Sequence, residues 1–434
     1  LHKTDDNQGR QAGMNATYSF ASPGRHGLWR IFLLWMIAWP LQAQEVSITA
    51  LFKPDSANPQ FNKFKNTTPL SGYCASYPQQ CIDNDFFSLQ VPIQFDSRSP
   101  ILANHASQRQ GAMLKVPAQW RELTVRHEAT GEIKTVKVRI AGVGSRYRTE
   151  DVMKLIGENH HDYQLAHNKL WGSSWVYSPP PCQSSGLGFY DTSMYGFFWK
   201  TPVEAVCAKQ AKFDVPWLRY EYLDLAYELE TPKPLEMSAG HYVGALTYSI
   251  GPGGDFDFGD VMLPSSSSLT MSFNLDVQHT LKVDIPPGGE KIQLAPAGGW
   301  QSWLQAGRRP VRLFRDQPFH ISASSRFKMQ LECEISGFPY DCLLHDPVSR
   351  RSVELRVSVS LPNGLTDMAG QPVRQMRLRA GGANALQFQP GFYVDRAPGL
   401  LHFEVPQNQM QFMLAPGAGP VYRGNVTVIW DSEV

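Results

Sequence analysis

The chain has 434 residues, 42% of them hydrophobic and 12% aromatic, with 40 basic residues against 39 acidic ones and a net charge of +1. That length sets an expectation of two to three domains, and the absence of a basic stripe or an acidic tail argues against nucleic acid as a partner. The 35 glycines and 32 prolines, spread throughout, indicate many turns between short strands.

In chain order, the first element is a targeting segment. Arg25, His26 and Arg30 precede the nine-residue apolar run from Ile31 to Trp39, and Pro40-Leu41-Gln42-Ala43 follows. A charged start, a short apolar stretch and a small residue at the cut predict a cleaved secretory signal over residues 1–43. The run is about half the length that spans a bilayer. Met14 is the expected translation start, and Gln44 the expected mature N-terminus.

From Gln44 to Phe52 the sequence alternates like an entering strand, and a polar loop through Asn58, Asn62 and Asn66 follows. Residues 86–93 and 135–140 are further strand candidates. Thr149 to Leu170 is the one helix expected, with a polar start and apolar residues at Val152, Met153 and Leu155. An aromatic segment runs from Trp171 to Trp199, and residues 218–229 return to strand character. The Pro-rich stretch 230–236 reads as a stiff connector. Beyond it, residues 241–250, 268–279, 281–285, 353–361, 400–405 and 421–430 alternate as strands. Turns at Gly251–Gly254, Pro286–Gly289 and Pro362–Gly364 separate several of them. This density of short strands predicts an all-β chain of antiparallel sandwiches.

The closing strand places Val426, Val428 and Trp430 on one face and Asn425, Thr427 and Ile429 on the other. Nothing after it in the sequence would cover its flank, so a partner strand is expected. Six cysteines suit an oxidising compartment and fall as three close pairs: Cys74 with Cys81, Cys182 with Cys207, and Cys333 with Cys342. Six cysteines allow fifteen connectivities. Nearest-neighbour bonding is expected because each pair brackets a turn-like stretch; a zinc site is disfavoured because no C-x₂-C pair exists.

Enzymatic motifs are missing: there is no G-x-S-x-G, H-E-x-x-H, Walker or dinucleotide fingerprint. Asp255-x-Asp257-x-x-Asp260 resembles a calcium loop, but Gly259 and Asp260 stand where that loop needs a ligand and a glycine, so a turn is expected. His160, His161 and His167 are weak metal candidates, with His105 or His127 as a further ligand. The alternative is an exposed polar helix face. The rings Trp171, Trp175, Tyr177, Tyr190, Tyr195, Phe197, Phe198 and Trp199 are either core or, in part, stacking faces of a ligand pocket. Asn168, Gln183 and Asp191 could supply that pocket's polar groups.

Several stretches together resemble the two-domain tip adhesins of chaperone–usher fimbriae in Gram-negative bacteria. They are Asn66-Thr-Thr-Pro-x-Ser-Gly-Tyr-Cys74 with Cys81, Tyr248-Ser-Ile-Gly-Pro-Gly-Gly-Asp-Phe-Asp-Phe-Gly259, Phe273-Asn-Leu-Asp-Val-Gln-His279, Gly299-Trp-Gln-Ser-Trp303 and Tyr422-Arg-Gly-Asn-Val-Thr-Val-Ile-Trp-Asp431. The resemblance implies a receptor-binding β-domain over residues 44–232, a linker at 233–238 and a pilin domain over 239–434. That pilin domain would be immunoglobulin-like and lack its last strand. Tyr248, Ile250, Val426, Val428 and Trp430 would line its open groove, filled first by a periplasmic chaperone and then by the next pilus subunit at the outer-membrane usher. A host glycan or glycoprotein receptor would be met by Asn168, Trp171, Trp175, Tyr177, Tyr190, Asp191 and Tyr195. The resemblance implies no enzymatic activity and no cofactor, and a place at the fimbrial tip on the cell surface. The other readings are an exported carbohydrate-active enzyme with a β-sandwich appendage, and a minor structural pilus subunit. Mass spectrometry of exported protein should give Gln44 as the first residue; a product retaining residues 31–39 would contradict the secretory reading.

Overall fold

A single long strand, Ile133–Arg148, dictates the shape of the first half of the protein. Its first part alternates, burying Val136, Val138 and Ile140 while Lys137 and Arg139 reach toward ion pairs with acidic residues on neighbouring strands. Beyond Ile140 the alternation gives way to a run buried on both faces. Phe198 presses on this part of the strand, and a Cβ on Gly142 or Gly144 would lie 2.7 or 2.6 Å from its ring. The strand pairs with Arg121–His127 along its first part, with Leu223–Glu230 in the middle and with Met194–Lys200 near its end. A register shift between Ala226 and Tyr227 accompanies the bend. One strand thereby serves both layers, and the sheet curls around its own core.

The computed structural model describes residues 44–159, 162–306, 309–419 and 421–432. The signal expected over residues 1–43, and His160 and His161, lie outside them. The protein is all-β, built as two sandwich bodies with separate cores. The first body contains a 13-stranded sheet, whose main path runs from Met262–Pro264 through Ile133–Arg148 and Gly240–Ser249 to Ser268–Val277 and Gln44–Phe52. Gln44–Phe52 lies parallel to Ser268–Val277, from Gln44 opposite Leu269 to Phe52 opposite Val277. The second body stacks a seven-stranded sheet on a four-stranded one. Leu281–Asp284, Leu313–Ala323, Val394–Val405 and Ser352–Ser360 are consecutive in the former. In the latter, Phe327–Cys333 lies between Leu386–Pro390 and Val426–Ser432.

The division expected at 233–238 is corrected. Gly240–Ser249 and Ser268–Val277 are hydrogen-bonded into the first sheet, and Tyr242, Tyr248, Ile250, Phe256 and Leu269 are buried in its core. Pro234–Glu236 is a 3₁₀ turn with Pro234 buried, so the prolines redirect the chain within one body. The passage between bodies is Gln278–Thr280. There His279 reaches the Met237 carbonyl through Nε2 (2.9 Å) and Ser324 Oγ through Nδ1 (3.2 Å).

The helix expected over 149–170 is two helices, Val152–Ile156 and Tyr163–Trp171, capped by Asp151 and Asp162. Gly157 ends the first at φ 72°. All three disulfides follow the nearest-neighbour pairing. Cys74 is bonded to Cys81, Cys182 to Cys207 and Cys333 to Cys342, with Cα separations of 5.7, 6.0 and 5.3 Å. Cys207 opens the short strand Cys207–Lys209, so its bridge ties the start of the Gln183–Tyr190 strand to the first core, where both sulfurs are buried. Cys342 lies in the strand Asp341–His345, buried in the second core, and its bridge holds that strand to the end of Phe327–Cys333. The bridge from Cys74 to Cys81 joins two short helices missing from the sequence reading, Tyr73–Ser76 and Pro78–Asn84. They cover the outer face of the sheet, where Tyr73 stacks on Phe198 at 3.9 Å.

Beneath this cap lies Asp224, only 7% exposed, with no hydrogen-bond partner for Oδ1 among the described residues. Gly72 rests on it at φ 65°, where an added Cβ would overlap the carboxylate. Burial raises the carboxyl to about 7, against the opposing pull of the Tyr73 N–H. A raised acid pKa stabilises the fold below the unfolded value of 3.8, and that contribution is lost as pH rises through about 7. At roughly 1.4 kcal/mol per unit, the loss reaches at most about 4 kcal/mol. Denaturant unfolding at pH 5 and pH 8 should therefore show greater stability in acid, and Asp224→Asn should remove most of the difference. An unchanged difference in the variant would contradict this account.

Candidate strand-accepting edge and receptor surface

The closing strand, Val426–Ser432, forms because its β-branched and aromatic residues alternate against a ready neighbour. It pairs antiparallel with Phe327–Cys333, placing Val426 opposite Cys333, Val428 opposite Leu331 and Trp430 opposite Met329. Among the described residues no strand pairs with its other edge. The Trp430 ring meets Phe319 at 4.9 Å and Phe327 at 6.1 Å, so this face of the strand points into the second core.

Burial is nevertheless incomplete. Val426, Val428 and Trp430 are half-buried, as are Leu281 and Val283 of the body's first strand. Phe319, which packs on Trp430, belongs to the strand beside Leu281–Asp284, so the half-covered residues of both strands border one core. Half-covered apolar side chains beside an unpaired backbone edge are what an added strand would complete. Tyr248 and Ile250 do not belong to this rim; both lie in the first core, where Tyr248 meets Phe256 at 5.6 Å.

The aromatic segment divides. Trp171, Trp175 and Tyr195 are buried, which removes them as receptor contacts. They stack between the Tyr163–Trp171 helix and the sheet: Trp175 lies 5.2 Å from Trp199 and 4.9 Å from Tyr147. Trp171 Nε1 donates to the Tyr147 hydroxyl at 3.1 Å. His167 is fully buried, its Nε2 donating to the Asp191 carbonyl at 2.8 Å and its Nδ1 2.6 Å from the Tyr147 hydroxyl. Burial pushes its pKa down, and both nitrogens are occupied, so the metal reading fails for His167. His127 and His105 are likewise bonded to backbone carbonyls, and no group of three ligating side chains is gathered among the described residues.

Asp191 is exposed, but its carboxylate accepts from the Ser193 and Met194 N–H groups and holds its own turn. Those bonds and Arg148 lower its pKa despite an opposing desolvation. Asn168 is half-buried and Gln183 exposed. Tyr177, at 67% exposure, and Tyr190, at 40%, are the rings of the expected set that reach solvent. The unbroken apolar run Tyr195-Gly-Phe-Phe-Trp199 was the available sign of burial on both strand faces. Asp255, Asp257 and Asp260 are held by Arg121 and Arg109, as a structural turn requires.

No protein-family model and no curated protein matches the chain. Solved structures similar to it are chaperone–usher fimbrial tip subunits. CfaE, the adhesive subunit of the CFA/I fimbria of enterotoxigenic Escherichia coli, is 10% identical with a TM-score of 0.26, covering 91% of this chain and 94% of that one. A chaperone–tip adhesin complex of CFA/I fimbriae gives 10% and 0.25, covering 91% and 97%. The CsuC–CsuE chaperone–tip adhesion subunit pre-assembly complex of Acinetobacter baumannii gives 8% and 0.20, covering 90% and 98%.

Truncating a ring separates the two populations in the aromatic segment. Trp175→Ala should cost about 3–5 kcal/mol of stability, as loss of a large buried ring does. Tyr177→Ala and Tyr190→Ala should shift denaturant midpoints little. Equal destabilisation by all three would place the exposed pair in the core as well.

Proposed function

We propose that the protein is a non-enzymatic fimbrial tip adhesin, exported through the periplasm and assembled by the chaperone–usher route. The observation that carries this reading is the half-covered apolar rim of the second body beside the one-sided closing strand. A strand laid along Val426–Ser432 would satisfy the outward backbone groups and bury Val426, Val428 and Trp430 together with Leu281 and Val283. In this proposal a periplasmic chaperone supplies that strand first, and the next pilus subunit replaces it at the outer-membrane usher.

The first described strand supports an accepting role. Gln44–Phe52 is paired along its whole length with Ser268–Val277, so it is committed to its own body. A strand held in this way is not itself donated, and the fibre tip is the place we propose for the subunit. Recognition of a host glycan or glycoprotein is assigned to the first body, because the second is given to assembly.

The test is a strand-addition titration on the full chain. A peptide of alternating apolar residues should raise the melting temperature of the second body. At a hundredfold excess over Kd the gain should be about 2.7 kcal/mol. Val428→Asp should abolish the effect while leaving the first body's transition in place. No response in the wild-type chain would overturn the proposal.

A further inference from the structure

The outward face of the first sheet carries a trough that the aromatic segment does not touch. Three neighbouring strands form its floor in two cross-strand rows: Leu51–Asp276–His241 and Thr49–Asn274–Val243. Thr67 and Glu128 also line it, and its volume is about 420 Å³. Neighbouring strands lie about 4.8 Å apart and same-face rows about 6.8 Å apart, so the floor has the dimensions of one or two pyranose rings.

The floor is stiff. Behind it Ala50, Phe52, Tyr242, Leu275 and Val277 are buried in the core. Its polar groups are oriented before any ligand arrives. Asn274 Nδ2 donates to Ser47 Oγ at 3.0 Å, which turns the amide oxygen to a fixed side. Thr67 Oγ1 donates to Thr49 Oγ1 at 2.9 Å, and Gln278 holds Asp276 Oδ2 at 2.9 Å. His241 Nδ1 stands 3.6 Å from Asp276 Oδ1. Leu51 and Val243 occupy opposite corners, offering apolar contact to the C–H face of a ring. Fixed hydroxyl, amide and carboxylate groups around small apolar patches are the chemistry that recognises polyols. The lining has two carboxylates, one histidine and no lysine or arginine, so it opposes an acidic ligand.

We propose that this trough is a carbohydrate-binding site for a neutral or amino sugar; the proposal rests on the reading of the first body as the receptor-binding one. The test uses the full chain on an array of neutral, amino-sugar and sialylated oligosaccharides, with Asn274→Ala, Thr49→Val and Ile82→Ala beside the wild type. Binding to neutral or amino sugars should fall at least about tenfold in Asn274→Ala and Thr49→Val, the loss of one or two fixed hydrogen bonds, with melting unchanged. Ile82→Ala, an exposed position outside the trough lining, should bind as the wild type does. Wild-type-like binding by both trough variants, a preference for sialylated sugars, or no retained glycan would each overturn the proposal. A chain that retains no glycan yet still responds to an added strand would fail this inference while leaving the assembly reading in place.

Discussion

A β-strand offers hydrogen-bonding groups along two edges, and among the described residues the closing strand of this protein has a partner on one. That constraint governs the second body. Its residues Val426, Val428 and Trp430 point into a core that the surrounding strands cover only partly, and Leu281 and Val283 are half-covered against that core as well. Deeper in the same core, Phe319, Phe327 and Met329 show what completion looks like: all three are wholly buried. An unsatisfied edge beside unburied apolar surface is an aggregation hazard unless another chain closes it.

The first body solves the same problem differently. Its long Ile133–Arg148 strand bends from one layer into the other, and Gln44–Phe52 closes against Ser268–Val277 in a parallel pair. Its large aromatics are spent on cohesion. Tyr147, Trp175, Tyr195 and Trp199 form one stacked interior with His167 locked among them. In our proposal, recognition is left to what the sheet and its loops present outward. In our reading that division of labour makes a rigid head on a body that awaits a strand.

Much of this was legible in the sequence. Alternation at Val426, Val428 and Trp430 marks the inward face of the closing strand. The short spacings from Cys74 to Cys81, from Cys182 to Cys207 and from Cys333 to Cys342 mark the disulfides, because both features depend on local geometry. Tyr248 and Ile250 are misplaced by sequence for a non-local reason. The Pro-rich stretch 230–236 looks like a linker, and only the pairing of Gly240–Ser249 with Ser268–Val277 and Arg121–His127 shows that the sheet continues past it. Trp171, Trp175 and Tyr195 pass for receptor contacts because a ring in sequence carries no mark of which side it faces. The trough is hidden for a related reason. Thr49, Asn274 and Val243 are far apart along the chain and meet only through strand register.

Amide hydrogen exchange along Val426–Ser432 tests the central claim most directly. In the free chain the amides facing Phe327–Cys333 should be protected while the alternate, outward-facing ones exchange fast. In chains incorporated into fimbriae both sets should be protected. Full protection of the strand in the free chain, or no gain on incorporation, would contradict an open edge that another chain completes.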